Sequence, residues 1–365
     1  MSRLALSKLF VAAASSAIMS CSGSVDGEAP VASTPAPSPT PTPPPAAPSP
    51  SPAPPPAGSA DFATRCAQPG VVKCVGFDDV ATIAGKWGDP SGITVGDSSA
   101  PTIDATVKAS GAGSLKFTIP SNSGSDSSGT FFTNFASDLS VQFGGDEEFY
   151  VQWRQRFSPE LIATKYQGAG GFKQIIVGTG DQPGKVYSSC SDLEVVMFNY
   201  EQEGFPAMYN SCSGSKSHDP YDGFYQPFGA YDFKLQNGRP SPYCLYSQGN
   251  TSPKSYFAPQ GNCFGYVANE WMTFQLRIKL GPRVGDEFVG SQVTLWVARE
   301  GQPSQLVIDW GPYNLTAGPQ SENQRFGKLW LLPYNTGKSP AQSHPTAYTW
   351  YDELIVSRVK IPDPR

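Results

Sequence analysis

The chain has 365 residues, with 26 Lys and Arg against 31 Asp and Glu, for a formal net charge of −5. No basic tract interrupts that acidic balance, which argues against a nucleic-acid partner. Aromatic residues make up 12% of the chain and charged residues 16%, a composition for burial and stacking rather than for a charged, solvated coil.

Residues 1–20, within MSRLALSKLFVAAASSAIMSC, combine a short basic start, an apolar run of about a dozen residues and small residues before a cysteine. That is a secretory signal; a membrane-spanning helix needs about 20 apolar residues. Ile18, Met19, Ser20 and Cys21 resemble the bacterial lipobox, in which the cysteine becomes the lipidated first residue. The expectation is a protein anchored through Cys21 in the bacterial envelope, at the outer membrane or cell surface. Ordinary cleavage nearby, leaving Cys21 as a free thiol, is the alternative.

Residues 21–60 are rich in Pro, Ala, Ser and Thr. They have too little apolar surface to pack, and an extended spacer of about 3 Å per residue is expected. Residues 61–365 form the globular part, long enough to bury a large core.

Six cysteines follow Cys21: Cys66, Cys74, Cys190, Cys212, Cys244 and Cys263. In a secreted chain they read as disulfides, most simply paired in sequential order, with a metal site as the competing use. C-x-x-C spacing is absent, and the two histidines, His218 and His344, stand far apart.

Within this region SLKFTIP, FYVQWRQRF, FKQIIVG, LEVVMFNY, WMTFQLRIKL, SQVTLWVARE, KLWLLPY and YTWYDELIVSRV alternate with period two and are separated by Gly, Pro, Asn, Asp and Ser. Many strands without a strand-helix rhythm predict an all-β domain of two stacked antiparallel sheets. The stretch from about Tyr209 to Cys263 reads as a long, disulfide-pinned loop excursion.

The strands CVGFDDV, FYVQWRQRFS, GFKQIIVG, EWMTFQLRIKLG, SQVTLWVAREG and WYDELIVSRVKI together resemble the concanavalin A-like jelly roll. That superfamily holds glucanases, lectins and the jelly-roll polysaccharide lyases acting on alginate and glucuronan. The glucanase pattern E-x-D-x-x-E does not occur here. The lyase pattern implies an arginine, a glutamine and a tyrosine on neighbouring strands, for β-elimination from a uronic acid. Arg154, Gln174 and Tyr334 match it as catalytic candidates: Arg154 and Gln174 neutralise the carboxylate, and Tyr334 transfers protons. The histidine of that pattern is missing beside Gln174, so Tyr334 acts alone or with His218 or His344. Arg156, Tyr150, Gln152, Lys328, Trp330 and Asn335 are expected to line the substrate groove, where guanidinium forks suit carboxylates.

On WMTFQLRIKL the polar parity, Thr273, Gln275, Arg277 and Lys279, is assigned to the opposite, convex side. A solvated convex face is also the competing place for Arg154 and Arg156. Asp78, Asp79 and Asp352 are candidates for a structural calcium ion, with turn capping as their alternative use; no cofactor is required. The resemblance implies a monomeric, surface-anchored lyase for an acidic polysaccharide. Its alternative is a non-catalytic, lectin-like glycan-binding lipoprotein of the same fold.

Overall fold

The alternation in these segments produces strands because each buries one face, and the computed structural model describes residues 61–167, 171–199, 206–210 and 264–365. In chain order the strands are β1 (Val71–Val75), β2 (Ser91–Thr94), β3 (Thr102–Asp104), β4 (Ser114–Ile119), β5 (Thr130–Asn134), β6 (Glu148–Phe157), β7 (Lys173–Thr179) and β8 (Glu194–Asn199). There follow β9 (Pro206–Asn210), β10 (Trp271–Lys279), β11 (Arg283–Val284), β12 (Glu287–Ala298), β13 (Gln305–Thr316), β14 (Phe326–Leu331) and β15 (Ala347–Ser357). Two short helices, α1 (Phe62–Cys66) and α2 (Pro159–Ala163), complete the frame. Asp61 caps α1, and Ser158 caps α2 with Pro159 in its first turn, the residue types that helix starts require.

The strands form two antiparallel sheets, the sandwich the sequence predicts. Sheet A runs β11-β12-β10-β6-β15-β4-β3, with β13 beside β12 and β1 beside β15; sheet B runs β2-β5-β14-β7-β8-β9. Sheet A contributes Phe149, Val151, Trp153 and Phe157 of β6 and Phe274, Leu276 and Ile278 of β10 to the interior. Sheet B answers with Phe131, Ile175, Val177, Val195, Met197, Leu329 and Leu331. Trp153 stacks on Phe274 at 5.3 Å, and Phe143 on Phe149 at 4.5 Å. Each such fully buried side chain contributes about 1.5–3 kcal/mol of transfer free energy.

Gln155 interrupts the apolar parity of β6, and its reason is in the interior. Its amide donates to Thr349 Oγ1 at 3.0 Å and its carbonyl accepts from Gln174 Nε2 at 2.9 Å. The Tyr266 hydroxyl donates to Gln174 Oε1, and the Tyr351 hydroxyl to the Gln174 carbonyl at 2.8 Å. This network crosses between the two sheets. A buried amide is costly unless its hydrogen bonds are made, and here they are.

The Cys66–Cys74 disulfide is formed as expected. Cys190 is also disulfide-bonded, whereas Cys212, Cys244, Cys263 and His218 lie outside the described residues, as do the signal, the lipobox with Cys21, the spacer and most of the long loop.

Candidate functional site

Register decides which polar residues share a face. β6 and β10 pair directly, Tyr150 with Arg277, Gln152 with Gln275, Arg154 with Thr273 and Arg156 with Trp271. Directly paired residues point to the same side of a sheet. Tyr150, Gln152, Arg154 and Arg156 therefore share the outer face of sheet A with Thr273, Gln275, Arg277 and Lys279. The expected assignment of these two sets to opposite sides does not hold.

That face is neither a groove nor simply solvated. Helix α1 and the C-terminal segment lie across it: Tyr150, Ile355 and Ile361 are buried together, with Phe62, Cys66, Val71, Cys74 and Trp296 packed against them. Gln152 accepts from Arg65 of α1 and donates to the Pro362 carbonyl at 3.1 Å. Gln275 exchanges two hydrogen bonds with the Ile361 backbone, at 3.0 and 2.8 Å. Arg65 is paired with Glu353, and Arg154 lies 3.8 Å from Glu353 and 3.4 Å from Glu300. The Tyr150 hydroxyl donates to Glu148, which also pairs with Arg277. Gln152 and Tyr150 of this polar row thus seat helix α1 and the C-terminal segment.

The candidate calcium ligands hold backbone instead. Asp78 accepts from the Ala112 and Gly113 amides, and Asp79 caps a turn of 3₁₀ helix at Ala81. Asp352 accepts from Ala109 at 2.8 Å and Ser110 at 3.2 Å. Among the described residues no three His, Cys, Asp or Glu side chains are grouped to hold a metal. Burial nevertheless pushes the Asp352 carboxyl up to about 7, against the pull of those amides.

Gln174 points into the sandwich, with both ends of its amide engaged by Gln155 and Tyr266. Arg154, Gln174 and Tyr334 accordingly occupy three separate places: the outer face of sheet A, the interior, and the outer face of sheet B. The sequence-expected trio is not assembled. A register shift between Lys173 and Ile175 causes part of this, because a bulge places two successive residues on one side of the strand.

The same bulge sends Lys173 outward. On the outer face of sheet B, Phe132, Ile176, Val196, Trp330 and Leu332 form a second buried cluster, with Tyr209 and Tyr334 packed against it. The Lys173 ammonium lies over the Tyr334 ring at 4.9 Å from its centroid and over Tyr209 at 6.0 Å. Burial draws the Lys173 ammonium below the usual lysine range, with Glu194 and Asp126 opposing it. Asn335, directly after Tyr334, is 2% exposed, and its buried Nδ2 has no hydrogen-bond partner among the described residues. Parity in the sequence put Lys173 with Ile175 and Val177, in the core. A lysine on a core parity was the available signal that the strand slips there.

Two further expectations for sheet B change. Lys328 is fully buried, donating to both Asp181 oxygens at 2.9 and 2.8 Å and to the Tyr187 carbonyl at 3.2 Å. Asp181 is held in turn by the Asn134 amide, at 2.8 Å, and by the Tyr187 N–H. Lys328 is therefore an internal tie between loops, with no free donor for substrate. Trp330, 1% exposed, is part of the buried cluster and offers no open ring for a sugar. Lys173, Asp181, Asn134, Arg65 and Glu353 were not singled out from sequence, because their roles depend on partners far away in the chain.

No protein-family model matches the chain, and no curated protein matches it. Among solved structures it is similar to a marine alginate lyase from Aplysia kurodai, with 12% identity over 80% of this chain and 99% of that one, at a TM-score of 0.48. It is also similar to an endo-β-1,4-glucuronan lyase from the fungus Trichoderma reesei, with 14% identity over 70% and 86% of the two chains, at 0.38. A third is the cellulose induced protein Cip1, with 14% identity over 80% and 99%, at 0.39.

Proposed function

We propose that the chain is a polysaccharide lyase acting on a uronic-acid-containing glycan, with Lys173 and Tyr334 as the reacting pair. The observation that supports this reading is the placement of a burial-weakened ammonium against a tyrosine ring on the outer face of sheet B. Elimination needs a base for the C5 proton, a donor facing the carboxylate and an acid for the leaving oxygen. Lys173, as the neutral amine, removes the C5 proton, and the C5–H electron pair forms the C4–C5 double bond. The C4–O bond breaks, and the departing oxygen takes the Tyr334 hydroxyl proton. The reading assigns the uronate carboxylate to the Asn335 Nδ2, which is buried and has no hydrogen-bond partner among the described residues, so this side chain must turn outward to reach it.

Lowering an ammonium's pKa raises the fraction of free amine at a given pH, so the rate rises with pH until Lys173 is deprotonated. A rate that climbs with pH and then levels off, at a pH below that of an ordinary lysine, is expected. The test follows the ultraviolet absorbance of the unsaturated uronide with alginate, glucuronan, hyaluronan and heparin-type glycans. Tyr334→Phe and Lys173→Ala should each lower the rate about 100-fold or more with an unchanged thermal midpoint. Absence of signal on every acidic glycan sinks the proposal.

The dispersal of Arg154, Gln174 and Tyr334 favours a second reading, glycan binding without chemistry on the same fold. It predicts binding that survives Lys173→Ala and no unsaturated product. In either case the signal, the Cys21 lipobox and the proline-rich spacer support placing the protein as a lipoprotein of the bacterial envelope.

A further inference from the structure

Trp87 leaves 47% of its surface exposed. A single exposed aromatic is ordinary; the mounting of this one is not. Residues 86–89 form a turn closed at both ends. The Lys86 N–H donates to Asp89 Oδ2 at 2.8 Å, and the Asp89 N–H donates to the Lys86 carbonyl at 2.9 Å. Gly88 takes φ +101°, a conformation that side-chain-bearing residues rarely adopt. Behind the turn, Gly85 and Gly92 approach backbone to backbone so closely that a Cβ on either would collide. Ile93 N–H donates to the Gly85 carbonyl at 3.0 Å.

The ring is backed as well as held. Phe132 meets it edge-on at 5.7 Å, and the Lys328 ammonium lies 4.9 Å from its centroid. The Asn134 backbone and side-chain N–H groups both donate to the Pro90 carbonyl, at 2.8 and 3.3 Å. The buried Lys328–Asp181–Asn134 network thus fixes the loop that presents Trp87. Beside it Lys86 is exposed and makes no ion pair among the described residues.

We propose that Trp87 and Lys86 form a stacking subsite for a uronate-bearing pyranose, one ring of a longer acidic glycan. The C–H face of a pyranose suits the open indole face, and a carboxylate on its rim suits the unpaired ammonium beside it. A rigid mount favours this use, because little conformational freedom is lost on binding. The subsite rests on the reading of the protein as acting on an acidic glycan. Six residues separate Lys328, which backs the ring, from Tyr334, roughly 20 Å of extended chain. The sugar held at Trp87 is therefore several rings from the bond that Lys173 and Tyr334 would break, and only longer oligosaccharides reach both places.

The test is calorimetric titration with oligouronides of increasing length, in the full chain carrying Tyr334→Phe so that they stay intact. Elimination is read separately on the unmodified protein. Trp87→Ala should weaken binding of long oligosaccharides about tenfold and leave short ones unchanged, with Trp87→Phe intermediate and Lys86→Ala weakening the same long ligands. Equal affinity with and without Trp87 at every length overturns the subsite, while an elimination signal would leave the lyase reading standing. Loss of affinity at every length together with a lowered thermal midpoint also overturns it, since the ring would then act through the fold. Self-association that depends on Trp87, with no effect on glycan, overturns it in favour of a second copy of the chain. No uronide binding at all overturns both readings. Trp87-dependent binding without elimination supports the subsite and ends the lyase proposal.

Discussion

Asp352 shows how much one buried carboxyl can set. It is fully buried next to Glu353, and three backbone amides, those of Ala109, Ser110 and Glu353, point at it. Burial still dominates and holds its pKa at about 7, well above that of an exposed aspartate. The sign follows directly. Between about pH 4 and pH 7 the folded chain keeps this proton while the unfolded chain releases it, so stability falls as pH rises through that window and levels off above it. Asp352→Asn, which keeps an acceptor for the amides but cannot ionise, should flatten the fall. Urea midpoints measured across that range for both proteins check it, and parallel curves would exclude Asp352 as the source.

At the scale of elements, the polar ties between loops and strands matter more than their individual charges suggest. Lys328 on β14 joins the 181–187 loop and, through Asp181 and Asn134, the turn carrying Trp87. Removing one partner of a buried ion pair leaves an uncompensated charge and costs about 3–5 kcal/mol. Lys328→Ala should lower stability by about that amount, whereas pairing it with Asp181→Ala should recover part of the loss. A chemical-denaturation cycle over the four proteins reads the coupling, and additive losses would mean the pair is not a unit. The strands themselves were legible in the sequence, since period two survives in β6 and β10, and so was the sandwich they build. The site was not, for reasons visible in particular residues. Parity says that Arg154 and Gln275 lie off the core but not what covers them, and a bulge at Lys173 turns Gln174, one of the three residues on which the lyase resemblance depended, into the interior. Lys328 looked like a groove cation because its partner, Asp181, lies 147 residues away.

For the whole molecule, the two ends of the domain close on each other over sheet A. Helix α1 contributes Arg65, the C-terminal segment contributes Ile361 and Pro362, and both meet the polar row of β6. Arg65→Ala should therefore destabilise well beyond a surface arginine, by about 3 kcal/mol or more, and should loosen the C-terminal segment with it. Hydrogen exchange at Ile361, whose amide is bound by Gln275, measures that coupling; unchanged protection there would show that the two ends are independent. The geometry also has a mechanical side. Were the chain tethered as proposed, tension from the proline-rich segment would enter at Asp61, the cap of α1. If the helix yields, extension stops at Cys66, because its bond to Cys74 carries the load past the turn and into the middle of β1. Cys74 sits opposite Ile355 on β15, a strand laddered to β1, β4 and β6. Such a pull would be shunted covalently onto several ladders that must shear together.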